Sequence, residues 1–101
     1  MLTKKTPETF SAKLTIISIG ETVQLDVVYN NVKPETIDAE AKAAGRPTTD
    51  DELMLKVVKS WDAEYELTPE GVAQLQQDRP GLVFAVLQGF YRGRVAALQK
   101  N

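Results

Sequence analysis

Two runs of strict alternation near the start of the chain restrict its fold more than any other feature. Residues 10–19, FSAKLTIISI, place Phe10, Ala12, Leu14 and Ile16 on one face and Ser11, Lys13 and Thr15 on the other. Residues 22–30, TVQLDVVYN, repeat the pattern with Val23, Leu25, Val27 and Tyr29 against Thr22, Gln24 and Asp26. A side-chain period of two belongs to a half-buried strand. Between the runs lies Gly20-Glu21, a two-residue connection with glycine first, which suits a type II′ turn. The expectation is a β-hairpin that pairs 10–19 with 22–30. Ile17, Ile19 and Val28 interrupt the polar face near the turn, so part of that face is expected to be covered. Two strands alone are marginal, and the hairpin therefore needs helices or another chain to pack on.

Helical signals fill the rest of the chain. Pro34 to Ala44, PETIDAEAKAA, has proline at a first helical position, Gly45 as a stop, and Ile37 as its one large apolar residue. Thr49 and Glu52 form a T-x-x-E capping box, and Asp50 and Asp51 complement the helix dipole at the first turn. Leu53, Val57 and Trp61 then lie in line. This spacing predicts a helix reaching Trp61, with all three residues in the structural core and Trp61 mostly buried against the last helix. After the acidic DAEYE, Thr68-Pro69-Glu70 marks another start, and that helix carries Val72 and Leu75 to about Gln77. Asp78-Arg79-Pro80-Gly81 interrupts it. The final segment, GLVFAVLQGFYRGRVAALQ, is the most apolar helix of the chain. The expected plan is α+β: an N-terminal β-hairpin over 10–30, then about four α-helices over 34–101. A chain of 101 residues at 43% apolar composition has enough for one modest core, so a single domain spanning 1–101 is expected.

Composition removes most chemistry. The chain has no cysteine and no histidine, which takes away thiolate chemistry, the commonest neutral-pH base and the commonest metal ligand. Asp62, Glu64 and Glu66 stand in a polar junction where nothing would raise a carboxyl towards acid catalysis. Asp50, Asp51 and Glu52 are better explained as a helix start than as a calcium loop. The six glycines form no phosphate-binding pattern, so no cofactor, metal or catalytic residue is expected. A net charge of −2 and two arginines near the C-terminal end do not make a nucleic-acid face. No apolar run approaches the length of a membrane span. The first residues, MLTKKTPETF, carry no apolar stretch behind the lysines, so a secretory signal is not expected and a cytoplasmic protein is.

Binding remains. In the last helix Ala85, Gly89 and Gly93 recur at four-residue spacing. Each interior glycine costs roughly 1 kcal/mol relative to alanine, a cost tolerated where a neighbour must approach closely. Phe84, Leu87, Tyr91, Val95 and Leu98 run along one side of that strip, and Val83, Val86 and Phe90 along the other. The arc is wider than one core-facing stripe needs. Phe84, Leu87, Tyr91 and Val95 are therefore the expected partner-binding residues, with Asp62, Glu64 and Glu66 adding attraction for a basic partner. Self-association through strand edges or the glycine-bearing helix is a further expectation.

An apolar helix ending in tryptophan, an acidic spacer, a T-P-E helix start, a proline-glycine break and a last apolar-aromatic helix occur in order from Val57 to Gly93. The stretch reads VVKSWDAEYELTPEGVAQLQQDRPGLVFAVLQGFYRG. In this it resembles the tail assembly chaperones of long-tailed bacteriophages and prophages, many of which carry a W-D pair before a short loop and a helix start. The resemblance implies a non-enzymatic cytoplasmic helper that binds the tape measure protein, recruits tail tube subunits and is absent from the mature virion. It brings no catalytic residues. The alternatives are a small structural tail or connector subunit, or a regulatory protein-binding module of the host.

Overall fold

The computed structural model describes residues 1–99. Its elements are β1 (Thr9–Ser18), β2 (Glu21–Asn30), α1 (Pro34–Ala44), α2 (Asp50–Val57), β3 (Val58–Trp61), α3 (Pro69–Asp78) and α4 (Leu82–Arg94). The fold is α+β: an N-terminal antiparallel hairpin, a third strand and four helices. The sheet order is β1-β2-β3, antiparallel throughout.

The hairpin register pairs Thr9 with Asn30 and Ser18 with Glu21, so Ile19 and Gly20 form the turn, and not Gly20-Glu21. Both turn residues have positive φ, 52° and 75°, as a type I′ turn requires. That turn matches the twist of the flanking strands, and Glu21 is free to pair as the first residue of β2. The shift moves each strand one position along but leaves the faces unchanged. Phe10, Ala12, Leu14 and Ile16 oppose Tyr29, Val27, Leu25 and Val23 on the helix-covered side. Ile17 and Ile19, expected to be partly covered, are exposed at 80% and 74%.

Trp61 is not on a helix, contrary to expectation. The chain leaves the helical region at Val58, whose φ of −92° and ψ of 114° are extended, and Val58–Trp61 pairs with β2. Two consecutive β-branched residues, Val57 and Val58, are poor helix formers, and β2 offers an unpaired edge for the chain to join. Trp61 thus ends a strand instead of a helix. It lies opposite Val27 on the core side of the sheet and is half-buried. Leu53 and Val57 are buried.

Helices α4 and α2 pack on one face of the sheet, and α3 packs on those two helices. Tyr29, Met54, Val57, Val72, Leu75, Val83, Val86 and Phe90 meet in a core to which every element except α1 and β1 contributes a buried apolar side chain. The capping box of α2 is complete, with Thr49 Oγ1 accepting from the Glu52 N–H and the Glu52 carboxylate accepting from the Thr49 N–H. Arg46 donates to the same carboxylate at 2.6 Å. Those hydrogen bonds, Arg46 first, hold the Glu52 carboxyl at about 2, well below its ordinary value. Helix α1 has no buried residue and is joined to α2 by the Lys56–Glu40 ion pair.

The glycines of α4 meet the hairpin. A Cβ on Gly89 would stand 2.6 Å from the Tyr29 hydroxyl oxygen and 2.8 Å from Leu14, and one on Gly93 would fall on the Phe10 ring. The close neighbours are therefore side chains of β1 and β2. This approach lets the Tyr29 hydroxyl donate to the Val86 carbonyl at 2.7 Å in the interior. Burial there pushes the phenol pKa up to about 12. Phe10, Tyr29 and Phe90 stack around it with ring centroids 5.2–5.9 Å apart.

Candidate protein-binding surfaces

Helix α4 divides its apolar residues between inside and outside. Val83, Val86, Leu87 and Phe90 face the core, while Phe84 and Tyr91 are 59% and 50% exposed. Seven residues apart, these two share a face about 10 Å along the axis. Helix α4 ends at Arg94, so Val95, 70% exposed, sits on the extended residue after the helix and not on its face. Leu98 lies beyond the helix too and is exposed. Leu87 departs from the expected set. It is 3% exposed and buried in the core, because the helix turns it towards the same side as Val83 and Phe90. Leu87 is therefore not part of the exposed stripe of α4.

The acidic junction is an ordered connection. Asp62 continues the ladder by one step in an unusual way. Its N–H donates to the Asp26 carbonyl at 3.2 Å, and its carboxylate, in place of a backbone carbonyl, accepts from the Asp26 N–H at 2.8 Å. The Trp61 indole N–H donates to the Tyr65 carbonyl at 3.0 Å. The W-D pair therefore acts locally, since Asp62 ends the strand ladder and Trp61 folds the following loop back. Within DAEYEL, Ala63, Tyr65 and Leu67 are half-buried against the core and Asp62, Glu64 and Glu66 are exposed. The Tyr65 hydroxyl donates to Asp78 at 2.8 Å, and that carboxylate raises the phenol above its ordinary pKa. Gly71 is needed where the loop meets α3, since a Cβ there would fall on the Glu66 carbonyl. Thr68 caps the helix through the Gly71 N–H at 3.0 Å.

This junction and the outward stripe of α4 are separate surfaces. Glu64 and Glu66 line a groove of about 870 Å³ with Val23, Leu25, Tyr65 and Leu82, whereas Phe84, Tyr91 and Val95 do not line it. Asp62 stands apart from both as a strand terminator. Sequence reasoning missed the groove, and the signal was present: the period of two in DAEYEL marks an extended segment with one acidic face. Among the described residues no cluster of acidic side chains could hold a metal ion, and no helix is long and apolar enough to cross a membrane.

The α+β fold thus carries an uncovered aromatic stripe on α4 and a grooved acidic junction before it. The family model for phage tail assembly chaperones matches residues 26–101, and the chain belongs to that family. The match takes in the end of β2, the W-D junction, the T-P-E start and α4, and leaves out most of the hairpin. No curated protein and no solved structure matches the chain.

Proposed function

We propose that this tail assembly chaperone binds the tape measure protein, helps bring tail tube subunits to it in the host cytoplasm, and is absent from the finished virion. It acts by binding and not by catalysis. The observation that carries the reading is the outward stripe of α4. Phe84 and Tyr91 stay half or more exposed on a helix whose other large apolar side chains are buried. Aromatic side chains left in solvent on a rigid helix, two turns apart on one face, are anchors of the kind that an amphipathic helix of a partner can meet. The basic residues Arg92 and Arg94 lie beside that stripe, and the carboxylates Glu64 and Glu66 lie on the other surface.

Co-expression with the tape measure protein of the same gene cluster tests this. The expected result is a soluble complex that Tyr91→Asp together with Val95→Asp abolishes while the melting temperature of the free chaperone stays put. A tape measure protein that is equally insoluble with or without the chaperone overturns the reading. Stoichiometric amounts of the chain in purified particles would make it a structural tail subunit instead.

A further inference from the structure

Strand β3 covers only part of the β2 edge. It pairs with Val27 to Tyr29, and Asp62 adds the last bonds, to Asp26. Backbone groups in a strand alternate sides, so Gln24 and Thr22 turn their N–H and C=O the same way as Asp26. Odd-numbered neighbours face β1, as the Asn31 N–H donating to the Glu8 carbonyl marks. Among the described residues no strand pairs with Thr22 or Gln24 on that side. Where a continuation of β3 would lie, the 62–68 loop swings away and the groove opens, lined by Val23 and Leu25 on one side and Ala63 and Glu64 on the other.

We propose that this groove takes an extended, basic segment of a partner polypeptide, added to β2 as a short antiparallel strand in line with β3. The open ladder supplies two donors and two acceptors from Thr22 and Gln24, the arrangement that β-augmentation uses. Charge selects the segment. The groove is lined by four carboxylates, Glu64, Glu66, Glu70 and Asp78, and one cation, Arg79, which is already paired with Glu21 at 2.8 Å. Lysine or arginine at alternate positions lays its stem along the half-buried Val23 and Ala63 and brings its charge to those carboxylates. A second copy of this chain is a poorer fit. Its exposed basic stretch has Lys4 and Lys5 adjacent, so on a strand they point to opposite faces. This surface is distinct from the stripe on α4, and its occupancy is independent of the reading given above.

Register makes the test sharp. Partner residues bonded to Gln24 and Thr22 carry side chains on the open face of the sheet, as Ser60 does opposite Val28. The groove-facing lysines turn their own N–H groups away from β2. The probe is a capped hexapeptide, Thr-Lys-Val-Lys-Val-Lys, titrated into the full chain and followed by amide NMR. Expected are shifts and slowed hydrogen exchange at Thr22 and Gln24, weakening with salt. N-methylation of the threonine and valines should abolish binding, and N-methylation of the lysines should spare it. The exposed-site variant Glu64→Gln with Glu66→Gln should weaken binding about tenfold or more. The proposal fails if no shift is seen at Thr22 and Gln24, if a glutamate-for-lysine peptide binds as well, or if both N-methylation patterns act alike. It fails too if those amides are already protected by a concentration-dependent dimer.

Discussion

The two ends of the hairpin are built on different principles. At the open end, Phe10, Tyr29 and Phe90 stack, two glycines let α4 close over them, and a buried hydroxyl ties sheet to helix. At the turn end, Ile17 and Ile19 stand in solvent, and the attachment is polar: Arg79 donates to Ser18 at 3.3 Å and pairs with Glu21 at 2.8 Å. One end is held by packed volume and the other by a tether. Packed volume is intolerant of change, whereas an exposed tether contributes little to stability and leaves room for improvement.

The sharpest way to break this contrast is at Phe90. Phe90→Ala removes a 1%-exposed ring and should cost about 3–5 kcal/mol, read as a loss of most of the unfolding free energy in urea. A loss no larger than that of an exposed-site control would deny the open end its role. Gly93→Ala pushes a methyl into the Phe10 ring and should cost about 1–3 kcal/mol by the same measurement. Tyr29→Phe keeps the ring and deletes only its bond to Val86, a loss of about 1 kcal/mol. In the parent, the phenol pKa of about 12 lies above the ordinary value of 10.0, so the folded state holds its proton more tightly. That contribution is present below pH 10 and is lost as pH rises towards 12; Tyr29→Phe should flatten alkaline unfolding.

At the turn end the sign reverses. Ile19 is a β-branched residue at φ 52°, a conformation that asparagine adopts at lower cost. Ile19→Asn creates the Asn-Gly pair that type I′ turns favour and should stabilise the protein by up to about 1 kcal/mol. A loss on this substitution would mean that the exposed isoleucine makes a contact that its 74% exposure does not suggest. The smallest effect is at the α2 cap. Glu52 has a pKa near 2 against an ordinary 4.5, so its contribution is complete above pH 4.5 and fades as pH falls towards 2. Acid titration of Glu52→Gln should lack that component, and an unchanged acid profile would show that the cap does not matter to stability.

Legibility followed the range of the interactions. The hairpin faces, the Thr49–Glu52 box, the Thr68 cap and the Pro80-Gly81 break are written in neighbouring residues, and each is present in the structure. Strand β3 was not legible, because four residues contain at most two alternations and VVKS also continues a helical line from Leu53. The turn was misplaced by one residue because glycine fits both II′ and I′ turns and only the pairing of Glu21 distinguishes them. On α4 the period marked an apolar arc correctly but not its division. Leu87 turns inward and Phe84 outward according to where the hairpin and α2 press, which is tertiary information. The alternation in DAEYEL marks one acidic wall of the groove, but the groove itself depends on β2, the 62–68 loop and α3 together.

The bond from Tyr29 to Val86 joins residues far apart in the chain, and this has a consequence for synthesis on the ribosome. A hairpin closes in about 1–10 µs once its strands are free. Its apolar face, however, is covered by α4, which is made well after it. About 60 residues separate Asn30 from Phe90, which at about 5–20 residues per second takes roughly 3–12 s to translate. For that interval the hairpin, marginal by itself, has no α4 to cover Phe10, Leu14 and Tyr29. On a crowded polysome, a protein that belongs to a chaperone family passes through a stage in which its own sticky surface depends on the next few seconds of elongation.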